Sequence, residues 1–287
     1  MYINHLDVPR NPEIFELPRA EKLSNSQWLD LALRDLQLPG DWTLVVLLGG
    51  RDLLAFRLRM AQSHFRQYIE PSYWSDCLLI SAPAGDIGQS SAFHVPLMQP
   101  ELPFPPARNG MVETLLSEFD SVETWPNIAL LAYPVERQQV LDKLELFVER
   151  RQVFDSLANV LRWLAFAWGV NGAPNPVHEQ VGLPSACMLD MVCSAAGLNV
   201  AQTLTAYGAC PEVIWGSANY WQRQRGGTAN YNYQAPLGRY FVGHRYEIDG
   251  TPATADAATA PRRATRSTPA AKPATRKAAA KTTARKS

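Results

Sequence analysis

The sequence predicts an α+β fold followed by a disordered basic tail, and three observations carry that expectation. Short, continuously apolar runs bounded by turn residues read as buried strands, most plainly 43–48 and 77–81. Longer stretches with helical spacing collect mainly in the second half of the chain rather than alternating with the strands. From Thr251 onward the chain has no Leu, Ile, Val, Phe, Trp, Tyr or Met. The other residues are apolar enough for a real core, at 46% of the whole chain.

The elements follow in order. Residues 1–23, rich in Pro and charge, read as an arm on the surface. Ser24 to Leu38 has helical spacing in Trp28, Leu31, Leu33 and Leu36. Ser24 with Gln27 three residues on has the spacing of a capping box, and Ser26 is the alternative cap. Pro39-Gly40-Asp41 ends that helix, Thr43 to Leu48 is a strand, and Gly49-Gly50 turns the chain. A helix is expected from Asp52 to about Tyr68, stopped by Pro71. Cys77 to Ser81, Ser91 to Val95 and Ile128 to Tyr133 are the next strands. Five prolines within 96–106 exclude helix or central strand there.

Glu136 to Trp168 is expected as the longest regular element, with Val140, Leu144, Phe147, Phe154, Leu157, Leu161 and Leu164 on one buried face. Pro184 is placed to open a further helix at its first turn, and Gly197 to cap its end. Glu212 to about Arg223 is the last helix. From Arg225 on, Gly, Asn and Tyr suggest a peripheral hairpin or loop. The organisation expected is thus an arm (1–23), one globular domain (24–250) and the tail (251–287).

The formal charge of zero hides an asymmetry. The tail holds nine cations, Arg262, Arg263, Arg266, Lys272, Arg276, Lys277, Lys281, Arg285 and Lys286, against one acid, Asp256. Removing these from the 27 of each sign leaves 18 basic and 26 acidic residues in the body, a net of −8. The tail should therefore bind polyanions and the body should not. Without apolar side chains the tail cannot offset a backbone ordering cost of about 1–2 kcal/mol per residue, and stays disordered. As a flexible coil it reaches about 30–35 Å. Nine engaged cations would give log K against log salt a slope of about −8 on duplex DNA, an upper bound and without sequence preference. Nucleic acid or another polyanion is the expected partner, with a purely solubilising tail as the alternative. In composition it resembles the tails of linker-histone-like bacterial proteins and of some nucleoid- or granule-associated proteins.

The N-terminus lacks the charged and apolar regions of a secretory signal, and no apolar run reaches the length of a membrane span. Four cysteines without Cys-x-x-Cys spacing fit reduced thiols in a cytoplasm. No zinc-ligand spacing, dinucleotide fingerprint or phosphate loop is present, so neither metal nor cofactor is expected. Glu179, Asp190 and Glu212 read as scattered acids without partners, and Trp163, Trp168, Trp215 and Trp221 as core.

Three stretches carry a resemblance: Gly49-Gly-Arg-Asp-Leu-Leu, then Tyr73-Trp-Ser-Asp-Cys-Leu-Leu-Ile, then Gly182-Leu-Pro-Ser-Ala-Cys-Met-Leu-Asp running to Ala195-Ala-Gly-Leu, with Cys210-Pro-Glu beyond. In order and spacing over about 43–221 they resemble the circularly permuted papain-like cysteine hydrolases of the NlpC-type superfamily. In that family a Trp-Ser-His strand bears the catalytic His, and the nucleophilic Cys opens a later helix.

The resemblance implies a small antiparallel sheet packed with helices. It also implies a site at which this chain departs from the pattern, with Asp76 in the His position and Ser185 in the Cys position. A thiol at a helix N-terminus is activated by the helix dipole, and a facing His carries its proton. An ordinary carboxylate is a poor base for a serine hydroxyl. Cys187 lies two residues further on, about 200° around the helix, and so on another face. His94 could replace the lost base if it lies on the adjacent strand; otherwise it is a surface residue beside the Pro-rich segment, as His64, His178 and His244 are expected to be.

The expectation is a catalytically inactive papain-like domain tethered to a polyanion. An amide or ester hydrolase using Ser185 or Cys187, and a structural nucleoid or granule protein, are the alternatives.

Overall fold

The structure is a computed structural model and describes residues 15–16, 23–36, 38, 40–66, 71–82, 85–97, 110–149, 156–201, 206–224 and 238–242. The chain divides into two units, Met1–Ala253 and Thr254–Ser287. All described residues belong to the first, so the tail and its nine cations lie outside them, as do His244 and most of the Pro-rich segment.

The fold is α+β. Its strands are β1 (Phe15–Glu16), β2 (Trp42–Gly49), β3 (Asp76–Ala82), β4 (Ser91–His94), β5 (Val112–Leu115), β6 (Asn127–Glu136) and β7 (Gly238–Val242). They form one sheet in the order β1-β7-β6-β2-β3-β4-β5, antiparallel throughout except for the β1–β7 pair. One expectation is corrected here: Gly238–Val242, in the stretch expected as a peripheral hairpin or loop, is an interior strand between β1 and β6, and Phe15–Glu16 of the expected arm pairs with it at the edge of the sheet. Both segments join the sheet through backbone pairing, which leaves little trace in apolar pattern.

The helices are α1 (Asn25–Leu36), α2 (Leu53–Ala61), α3 (Arg137–Glu149), α4 (Ser156–Ala167), α5 (Pro184–Ala195) and α6 (Pro211–Gln224). They cover both faces of the sheet. On one, Leu44, Val46, Leu48, Leu78, Ile80, Leu130 and Ala132 pack with Trp28, Leu29 and Ala32 of α1 and with Phe119. On the other, Val45, Leu47, Cys77, Leu79, Leu131 and Tyr133 pack with residues of α2 to α6, including Leu58, Trp163, Met188 and Ile214. This explains why β2 reads as a continuous apolar run: all eight of its residues are buried, since neither face meets water. At the β5 end of the sheet alternation returns, with Glu113 and Leu115 exposed.

Local chemistry sets the helix ends. Ser24 Oγ accepts from Gln27 N–H at 3.3 Å while Gln27 Oε1 accepts from Ser24 N–H at 3.1 Å, the reciprocal capping box that the spacing predicts. Ser26 instead donates its amide to Asp120. Leu31, expected on the buried face of α1, is largely exposed; Trp28, Leu29 and Ala32 form that face. Asp52 caps α2 by accepting from Ala55 N–H, and a 3-10 turn over Gln62–Phe65 follows. Pro184 opens α5 at its first turn. Gly197, at φ +81, ends it in a Schellman arrangement, with Leu198 N–H to Cys193 C=O and Gly197 N–H to Ser194 C=O.

The helix expected over 136–168 starts later, since residue 136 ends β6, and is described as α3 and α4, with 150–155 outside the described residues. Each has its own phase: α3 buries Val140 and Leu144, whereas α4 buries Val160, Trp163 and Leu164 and leaves Leu161 53% exposed. Trp168 is also corrected from core to surface, at 54% exposed, while Trp163 and Trp215 are buried.

Candidate functional site

The N-terminus of α5 abuts the ends of β3 and β4, and Ser185, its second residue, points at the chain just beyond β4. There the Ser185 hydroxyl accepts the Val95 amide proton at 3.1 Å and donates to the Val95 carbonyl at 3.0 Å. One side chain thus satisfies both main-chain groups of a residue that has left the β4–β5 ladder, inside the core where they would otherwise be orphaned. Ser185 is 1% exposed.

Asp76 opens β3 and lies in the same cluster. Its Oδ1 accepts the Cys77 amide at 2.8 Å, and its carboxyl also interacts with the Ser185 hydroxyl. Burial pushes the Asp76 carboxyl up to about 7, more than these two hydrogen bonds pull it down. His94 ends β4, buried at 7% exposure and edge-on to Phe119 with ring centroids 5.3 Å apart. It is therefore not a surface residue. Its Nδ1 lies 4.0 Å from Asp76 Oδ2, beyond hydrogen-bond range, and neither ring nitrogen has a hydrogen-bond partner among the described residues. Burial lowers His94 to about 4, so the imidazole is neutral at pH 7 and the pair is not an ion pair.

Three of the four candidates thus converge, without a Ser–His hydrogen bond among them. A serine nucleophile needs an accessible hydroxyl and a base that can take its proton. Here the buried hydroxyl donates to Val95 C=O, the titratable group that interacts with it is the equally buried Asp76 carboxyl, and the His94 imidazole makes no hydrogen bond to it. Cys187 is turned elsewhere. Its thiol donates to Tyr207 C=O at 3.2 Å and sits against Gly182, where a Cβ would come within 2.5 Å of Sγ. Burial pushes that thiol up to about 12, so it stays protonated. Cys77, Cys193 and Cys210 are also free, buried and raised by burial.

No family model, curated protein or solved structure matches this chain.

Among the described residues, no group of three or more His, Cys, Asp and Glu is placed to hold a metal ion, and no helix is long and apolar enough to cross a membrane. His64 and His178 are exposed. Glu212 is not a scattered acid without a partner. Its carboxylate accepts from Ser72 Oγ at 2.6 Å, and its amide donates to Gln62 Oε1 at 3.0 Å. Arg59 donates to Ser72 C=O at 2.6 Å, and Gln62 Nε2 to Trp74 C=O at 2.9 Å. Asp190 likewise has a partner, accepting from Ala201 N–H at 3.3 Å. The Glu212 network ties α2, the segment before β3 and α6 together. Nothing in the local pattern signals it, because Ser72 and Glu212 are 140 residues apart.

Proposed function

We propose that the body is a catalytically silent domain of the permuted papain-like type, and that the basic tail holds it on nucleic acid or another intracellular polyanion. The order of parts supports the first half. A Gly-Gly turn after β2 is followed by β3 opening at Asp76, and a much later helix opens at Pro184-Ser185 against that strand. The observation that carries the silence is the Ser185 hydroxyl, buried and hydrogen-bonded to both main-chain groups of Val95. An attacking serine must leave such bonds and meet a substrate; the Asp76 carboxyl beside it is buried as well, and the His94 imidazole has no hydrogen bond to it. The thiols offer no substitute, because a buried Cys187 raised to about 12 is not a thiolate at neutral pH. The second half rests on the sequence: nine cations in a segment with no apolar side chain.

Nucleophile-directed probes test the silence. Native full-length protein treated with a fluorophosphonate and, separately, with iodoacetamide is expected to remain unlabelled at Ser185 and Cys187, while urea exposes all four thiols to alkylation. Stoichiometric labelling of either residue in the native protein would contradict the proposal and favour a hydrolase.

A further inference from the structure

At the β5 end of the sheet, on the face covered by α3, lies a cavity of about 430 Å³ lined by residues of β3, β4, β5 and α3 and by Met111. That volume falls within the range of small-molecule sites, about 300–1,000 Å³. Its walls are mainly apolar, from Phe93, Met111, Leu141 and Leu144. Two carboxylates face it from opposite sides: Glu113 on β5, which pairs with Phe93 across the ladder, and Glu145 on α3. Neither meets a cationic side chain among the described residues, and both are exposed at the rim. Ser81 Oγ, at the wall, is already used on Ser91 C=O.

Two acids set across an apolar, aromatic-walled cavity are complementary to a ligand with an apolar body and one positive end. The body would displace water from Leu141, Leu144 and Met111, and the cation would reach Glu113 or Glu145 beside the Phe93 ring. An anionic ligand would meet both carboxylates with no compensating cation among the described lining residues. A neutral apolar one would gain the walls but not the rim. We infer that this cavity is a binding site for a small amphipathic organic cation, an ammonium or guanidinium group on an apolar body. This assignment is independent of the Ser185 cluster and of the tail.

Phenethylammonium, with 2-phenylethanol as its uncharged analogue, tests it on the full-length chain by calorimetry and by perturbation of the Phe93 and Met111 resonances. The amine is expected to bind saturably, at least about fivefold tighter than the alcohol, since a charge-assisted contact outweighs a neutral one. Glu113→Gln and Glu145→Gln should each weaken the amine about three- to tenfold and leave the alcohol unchanged. Both side chains are exposed, and unaltered circular dichroism checks that the variants fold. Added salt should weaken the amine alone. Absence of binding, equal affinity for amine and alcohol, or binding insensitive to both substitutions would each overturn the assignment.

Discussion

Ser185 is where the account can be tested most locally. Replacing it by Ala leaves the Val95 amide and carbonyl buried without partners, which costs about 1–3 kcal/mol in urea unfolding. A hydroxyl held only for catalysis would show no such loss. Asp76 and His94 carry opposite pH signatures. The native state holds the Asp76 proton up to about 7, above the ordinary 3.8, so this residue's contribution to stability falls as pH rises from 4 to 7. His94, lowered from 6.5 to about 4, binds its proton more readily when unfolded, and its contribution rises over pH 4 to 6.5. Relative to the parent, Asp76→Asn should therefore gain stability from pH 4 to 7, on the order of a few kcal/mol. His94→Gln should lose stability over pH 4 to 6.5. Chemical denaturation across this range reads both curves, and two parallel curves would show that these groups do not titrate as their burial implies. The types and positions of Ser185, Asp76 and His94 were legible in the sequence. The burial of His94 was not, because Phe119, which packs on its ring, lies outside its local window.

At the scale of elements, the central strands and the helix caps were readable because their causes are local. Continuous apolar runs require two covered faces, and Ser24 meets Gln27 within one turn. The junction at 136–137 was not readable. The apolar spacing from Val140 to Leu164 can be fitted to one face, but α3 buries Val140 and Leu144 while Leu161 falls in the exposed row of α4. Close approaches between elements were also hidden. A Cβ at Gly49 would lie 1.9 Å from the Tyr73 carbonyl oxygen and 2.7 Å from the Asn127 Cβ. Gly49→Ala should accordingly cost about 3 kcal/mol or more and lower the thermal midpoint clearly. A loss below 1 kcal/mol would mean that the turn between β2 and the Tyr73 segment yields easily. In the network around Glu212, Glu212→Ala strands the Ser72 hydroxyl and removes a partner of Arg59, at about 2–4 kcal/mol. Glu212→Gln keeps an acceptor for Ser72 and should cost less than half as much. Equal losses would point to the charge rather than the hydrogen bond.

At the scale of the molecule, charge divides the chain into two parts: an acidic body of net −8 and a tail with nine cations. The proposed silence of the body rests on a Ser185 that is buried and hydrogen-bonded to Val95, and on buried thiols held protonated. Nine cations in a segment without apolar side chains suit the proposed binding to a dense array of phosphates. The composition of the tail was legible at once, whereas the partner it meets is a question of charge density and salt. Binding of the full-length chain to duplex DNA, titrated across salt beside a chain ending at residue 250, tests this division of labour most directly. The account predicts that log K falls with log salt with a slope no steeper than about −8, and that the shorter chain does not bind. Equal binding by the shorter chain, or full-length binding insensitive to salt, would contradict it.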